Sequence, residues 1–220
     1  DIEQSRFDLQ GLRWSWLAFG SEGRYEQTIS TDQDNGLIFD DAAPDAVRTR
    51  LLPFAQAVNR ALDACGFPLC RGNIMAGNPQ WCLSLEEWQG RFDQWIANTD
   101  PQALLNAVIF FDFRHLHGDE SLPQRLRGHL SDAASGNRRF QRQLAQYALE
   151  TKPPLGLISD FVTDDDGDAR STIDLKKSGA RLFTDAARVL ALASGVSHTN
   201  TVQRLRQAGA ALNMPQGEID

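Results

Sequence analysis

Two short apolar runs bracket a polar stretch near the start of the chain, and their placement limits the possible folds more than any other feature. Residues 14–19 (WSWLAF) are cut off by Gly20-Ser21, and residues 36–39 (GLIF) follow directly on Thr31-Asp32-Gln33-Asp34-Asn35. Apolar and aromatic runs this short, ended by turn residues, read as buried strands rather than helices. Gly20-Ser21 then sits at the exit of one strand, and two carboxylates sit at the entrance of the next. Downstream, residues 45–64 carry Val47, Leu51, Leu52, Phe54, Ala55, Val58 and Leu62 at helical spacing, closed by Gly66 and Pro68. Residues 69–75 are a candidate third strand. Ser84 opens a helix with Glu87 at the capping-box position. Residues 107–113 (AVIFFDF) read as a strand buried on both faces.

From Glu120 onward the pattern is helical, over 120–134, 137–151, 178–194 and 199–212, with a polar loop at 163–171. The expected architecture is therefore α/β (α+β), a small mixed sheet with helices over 1–118, followed by an α-helical bundle over 119–220. A chain of 220 residues that is 41% hydrophobic can bury a core in each half. No apolar run approaches the roughly 18 residues that span a bilayer, and no basic-then-apolar opening reads as a signal peptide. A cytoplasmic location and no membrane partner are expected. The chain opens at Asp1 without a Met, as a piece of a longer protein would. Cys65, Cys70 and Cys82 form no CxxC pair and read as reduced thiols. The net charge of −7 disfavours a nucleic-acid partner, because backbone phosphates call for a basic face.

Three elements carry chemistry. In Gly20-Ser21-Glu22-Gly23-Arg24, the glycines leave backbone N–H groups bare for a phosphate, Ser21 adds a hydroxyl, and Arg24 adds a fork of donors. In Asp32-Gln33-Asp34, an extended backbone puts both carboxylates on one face, about 6.6 Å apart along the chain. They repel each other unless a divalent cation lies between them. Asp112, inside the apolar run, is expensive to bury as an unpaired ion. It is either salt-bridged, to Arg114 or another basic residue, or it is a third carboxylate facing the same metal and able to act as general base. Combined, the elements describe a phosphoryl-transfer site in which two Mg²⁺ ions about 3.5–4 Å apart are held by Asp32, Asp34 and Asp112.

Gly-Ser, a DxD eleven residues on and a later lone carboxylate resemble the DNA polymerase β-like nucleotidyltransferase superfamily. More closely, FGSEGRYEQT with STDQDNGLIF is similar to nucleotidyltransferases found in bacterial proteins beside CBS or cyclic-nucleotide-binding domains, themselves similar to the N-terminal part of protein-PII uridylyltransferases. CRGNIMAGNPQW, FFDFRHLHGD and IDLKKSG…ARVLAL…TNTVQRL extend that resemblance over nearly the whole chain. It implies that Gly20 and Ser21 hold an NTP triphosphate, that Asp32 and Asp34 bind metal, and that Asp112 is the third carboxylate. Arg24, Glu26 and Gln27 match the extended first motif. The helical half is implied to be a substrate-side domain, and sensory CBS or cyclic-nucleotide-binding domains are implied N-terminal to Asp1. The activity implied is Mg²⁺-dependent transfer of an NMP to a hydroxyl on a regulatory protein. A nucleotide-binding module without turnover is the alternative, and a small-molecule acceptor is a third reading.

Lys176 or Lys177 can reach the triphosphate, and Asp174 is a weaker candidate than Asp112 for the third carboxylate. His115 and His117 read as ordinary strand-end histidines. Trp88 and Trp95 fall on one helix face and read as core. The run 164–168 lacks the glutamate of a calcium loop and reads as a solvated acidic loop.

Overall fold

Strand β1 (Trp14–Ala18) forms the centre of the fold because its residues alternate between two apolar environments. Trp14 and Trp16 enter one core cluster, and Leu17, with the following Phe19, enters the other. Both faces of the sheet are therefore covered. The computed structural model describes residues 4–29, 31–151, 175–215 and 217. Strand β2 (Asn35–Phe39) runs antiparallel to β1, with Ala18 opposite Asn35 and Trp14 opposite Phe39. Strand β3 (Cys82–Ser84) is parallel to β2, and β4 (Arg114–Gly118) is antiparallel to β1 with a bulge between Trp16 and Leu17. The sheet order is β3-β2-β1-β4, a small mixed sheet as the sequence suggested.

A one-turn helix α1 (Gly20–Gly23) follows β1 at once. Helix α2 (Pro44–Ala64) starts with Pro at its first turn and buries Val47, Leu51, Phe54 and Ala55 against the tryptophan face. Helix α3 (Leu85–Asn98) carries the expected capping box, with Ser84 accepting from the Glu87 N–H and Glu87 accepting from the Ser84 N–H. Trp88 and Trp95 lie on its buried side, Trp88 donating its ring N–H to the Leu37 carbonyl.

Two expected strands are corrected. The apolar run 107–113 is not a strand: most of it belongs to helix α4 (Pro101–Phe110). Asp100 caps that helix by accepting from the Ala103 N–H at 2.8 Å, and Pro101 fixes its first turn. Buried strands and buried helix ends share the same unbroken hydrophobicity, so the run itself did not discriminate, whereas the Asp-Pro start did. Residues 69–75 form a turn-rich loop, and the neighbouring loop backbone takes the β2 approach: the Pro68 and Ile74 carbonyls accept from Gln33 and Asn35 N–H.

The helical half follows the expected segments closely, as α5 (Ser121–Ser135), α6 (Arg138–Leu149), a π-helical turn Lys176–Ala180 leading into α7 (Arg181–Ala193), and α8 (Thr201–Ala211). Its core is continuous with that of the sheet. Leu122, Leu126 and Leu130 of α5, Phe140 and Leu144 of α6 and Leu192 of α7 share one cluster with Leu17, Phe19 and Phe110. Among the described residues no helix is long and apolar enough to cross a membrane. Asp174 and the run 164–168 lie outside the described residues.

Candidate active site

The Gly-Ser turn and the DxD segment meet at one end of the sheet. The Phe19 N–H donates to the Asp34 carbonyl at 2.8 Å, which stitches the exit of β1 to the entrance of β2. Gly20 has φ +56, a conformation that costs glycine little. A Cβ on Gly20 would lie 3.4 Å from Asp34 Oδ2, so the bare glycine backbone directly faces that carboxylate.

Asp32 is exposed, Gln33 is buried, and Asp34 is half-buried, the alternation of an extended backbone. The buried side is pinned by amides. Gln33 Nε2 donates to the carbonyls of Asn59 and Phe67 at 3.0 and 2.8 Å, and Asn59 Nδ2 donates to Gln33 Oε1 at 2.8 Å and Asn35 Oδ1 at 3.0 Å. The Ala76 N–H donates to Asn35 Oδ1 at 2.8 Å. A network satisfied in this way holds both aspartates on their open face. Replacing Asn59 strands several partners at once, so Asn59→Ala is expected to cost about 2 kcal/mol. Urea denaturation measures this, and an unchanged midpoint would show that the network is incidental.

Burial raises the Asp34 carboxyl above its usual range, and the charge of Asp32 adds to the effect. The Cys70 thiol, which donates to Asp34 Oδ1 at 3.4 Å, and the cations Lys176 and Arg24 partly offset it. Glu22 on α1 is also raised, chiefly by burial, and it feels the charge of Asp34. Burial is thus the main cost of ionising these carboxyls, with Arg114 partly offsetting it at Glu22, and a bound cation would relieve that cost. Among the described residues no group of three or more His, Cys, Asp or Glu is arranged to hold a metal ion. Asp32 and Asp34 are the two carboxylates the DxD segment offers, and they suit Mg²⁺, which takes one or two carboxylates together with substrate phosphates.

Lys176 reaches the same region. It lines a cleft of about 320 Å³ with Arg24, Arg181, Thr184, Asp185 and Arg188, walled by both halves of the chain. The side chain of Lys177 lies outside the described residues.

Asp112 departs from the metal-ligand expectation. It sits in the turn between α4 and β4, is fully buried, and meets three guanidiniums. Arg24 Nη1 and Arg188 Nη2 approach its Oδ2 at 2.8 and 2.7 Å, and Arg204 Nη1 approaches Oδ1 at 2.7 Å. Burial by itself would raise its pKa, but Arg188, Arg204 and Arg24 outweigh burial and hold the carboxyl well below the usual range. Arg188 is raised because Asp112 and Asp185 outweigh its own burial, whereas Arg204 is lowered because burial and the neighbouring cations outweigh Asp112. With no exposed surface and its oxygens taken by cations, Asp112 has no room for a metal ion. The salt-bridge alternative holds, with partners other than Arg114. Arg114 donates to the Glu22 carbonyl and lies 4.1 Å from the Tyr25 ring centroid.

The Asp112 cluster also joins the two halves. Arg24 Nε pairs with Glu26 at 2.9 Å, Glu26 accepts from the Thr201 N–H at 2.6 Å, and Asn200 Nδ2 donates to the Arg24 carbonyl at 3.2 Å. Arg188, Arg204, Asn59, Gln33 and Glu22 were not singled out from sequence. An arginine inside the apolar ARVLALA segment was the one available signal. Gly23 packs against the same turn, where an added Cβ would fall 1.9 Å from the Asp112 carbonyl oxygen. Backbone cannot yield as a side chain does, so Gly23→Ala is expected to lose about 3 kcal/mol, visible as a lowered melting temperature.

Residues 2–102 match the family model described as "Putative nucleotidyltransferase DUF294", and residues 138–220 match the model described as "Putative nucleotidyltransferase substrate binding domain". No curated protein and no solved structure matches the chain. The first part of the chain is thus similar to a nucleotidyltransferase family and the last part to a nucleotidyltransferase substrate-binding family.

Proposed function

We propose that this protein transfers a nucleoside monophosphate from an NTP to a hydroxyl acceptor, with Mg²⁺ bound by Asp32 and Asp34. The observation that carries the reading is the meeting of Gly20 with the Asp34 carboxylate, beside a cleft lined by Lys176, Arg24 and Arg181. When bound, Mg²⁺ would offset charge on the phosphoryl oxygens and lower the pKa of the attacking hydroxyl. The chain supplies the positioning. Gly20 lets a triphosphate approach the backbone, Ser21 adds a hydroxyl donor, and Lys176 brings a positive charge to the outer phosphates. Asp112 acts at one remove, by fixing Arg24 and the seam between the halves. In keeping with the protein-PII uridylyltransferase resemblance, the acceptor is a tyrosine hydroxyl on a cytoplasmic regulatory protein, and the full-length chain carries a CBS or cyclic-nucleotide-binding sensor.

The test is Mg²⁺-dependent pyrophosphate release and ³²P transfer from each of the four NTPs, comparing wild type with Asp32→Asn and Asp34→Asn. Loss of at least about 100-fold in either variant is expected. Equal labelling by wild type and both variants would refute the reading. The burial of Asp112 favours a second reading, a nucleotide-binding regulatory module without turnover, since among the described residues it leaves Asp32 and Asp34 where three carboxylates were expected. That reading requires Mg²⁺-dependent NTP binding by calorimetry without pyrophosphate release, and steady release discards it.

A further inference from the structure

A second cavity, of about 420 Å³, opens where β4, α5 and the loop between α7 and α8 come together. It shares no lining residue with the Lys176 cleft. Its lining includes two guanidiniums, Arg114 and Arg127, and two imidazoles, His115 and His198, against the single carboxylate of Glu120. That balance runs against the chain as a whole, whose net charge is −7.

Arg127 is the most telling member. Its guanidinium stacks on Phe113, 3.6 Å from the ring centroid, and donates to the backbone carbonyls of Phe111 and Phe113. Among the described residues no carboxylate lies within salt-bridge distance of it. Burial, together with the nearby Arg204, pushes its pKa down to about 9. A half-buried cation whose donors meet carbonyls, with Asp112 acting on it only from beyond salt-bridge distance, can still take an anionic partner. Arg114, which lines the same cavity, stacks on Tyr25, which is 70% exposed and holds φ +60. A non-glycine residue in that conformation is uncommon and strained. It is kept here with its ring turned to the cavity wall rather than buried in the core.

We propose that this cavity binds a small phosphate- or carboxylate-bearing ligand with a flat body, its anionic group met by Arg114, Arg127 and His198 and its flat face by Tyr25. A planar guanidinium pairs its N–H donors with two oxygens of a carboxylate or a phosphate, and an exposed aromatic ring offers the stacking surface. The site is separate from the nucleotide cleft and does not depend on the activity proposed above.

Titration calorimetry with phenyl phosphate, benzoate and inorganic phosphate tests it. Wild type should bind phenyl phosphate saturably and more tightly than inorganic phosphate, and a comparison with benzoate tells which oxyanion is preferred. Arg114→Gln and His198→Gln should each weaken phenyl phosphate about tenfold. Tyr25→Ala should remove the advantage over inorganic phosphate. Lys176→Gln, in the other cleft, should leave both affinities unchanged. Arg127 is too deeply placed to be a first choice, and melting curves of the three exposed-site variants guard against misfolding. Absence of saturable binding of any probe to wild type overturns the proposal. So does weakening by Lys176→Gln with no response to Arg114→Gln and His198→Gln.

Discussion

At neutral pH, Asp34→Asn should abolish Mg²⁺-dependent pyrophosphate release and at the same time raise the melting temperature. The two effects share one cause. Burial and the neighbouring Asp32 raise the folded-state pKa of Asp34, so folding opposes its ionisation. A carboxyl raised in this way favours the fold below its unfolded pKa, and that contribution is lost as pH rises through the folded pKa. At neutral pH the ionised form is therefore a burden on the free protein, which Asn removes. The gain should fall within about 0.5–2 kcal/mol, the range of relieving a strained functional position, at about 2–4 °C per kcal/mol for a chain of this size. The difference should disappear below about pH 4, where wild-type Asp34 is protonated as well. Mg²⁺ should raise the melting temperature of wild type and leave the variant unmoved. Thermal melts with and without Mg²⁺, paired with the pyrophosphate assay, measure all of this. A less stable Asp34→Asn protein, or one that keeps its turnover, would count against the site.

The largest loss of stability should come from Asp112→Ala. Three guanidiniums, from Arg24, Arg188 and Arg204, converge on a carboxylate with no solvent exposure. Removing it leaves buried like charges facing one another. Breaking a buried ionic cluster from one side costs about 3–5 kcal/mol, against a total stability of about 5–15 kcal/mol for a typical domain. The variant should melt far below wild type or fail to fold. The pH dependence has the opposite sign to that of Asp34. Asp112 is held below its unfolded pKa, so its contribution is complete above about pH 4 and is lost as pH falls toward the folded value. Wild type should lose stability on acidification partly through this group, and a pairing-defective variant such as Arg188→Met should show a shallower acid limb. An Asp112→Ala protein melting within a few degrees of wild type would show that the cluster is dispensable.

How far the sequence could be read depended on the range of the interactions involved. Gly20-Ser21, Asp32 and Asp34 were legible because strand-turn-strand punctuation and period-two alternation are local. The helices of the second half were legible for the same reason. The 107–113 run misled because an apolar stretch looks alike in a buried strand and at a buried helix end, while the deciding cap, Asp100-Pro101, lay several residues upstream. The partners of Asp112 could not be assigned locally. Arg188 and Arg204 are 76 and 92 residues away in sequence, and only packing of α7 and α8 against the turn brings them in. Asn59 behind the DxD is hidden in the same way, as one polar residue on an otherwise ordinary helix.

Arg24 stands between two claims on its charge. It pairs with Asp112 and Glu26 at the seam between the halves, and it also forms part of the wall of the Lys176 cleft. A phosphate drawing Arg24 outward would leave Asp112 with two guanidiniums and loosen the tether through Glu26 to Thr201. By thermodynamic reciprocity, whatever tightened that seam would then weaken the grip on the phosphate, and to the same degree. One side chain would thus set nucleotide affinity and cohesion between the halves as opposing quantities, so a signal arriving at the helical half would need no path of its own to reach the cleft.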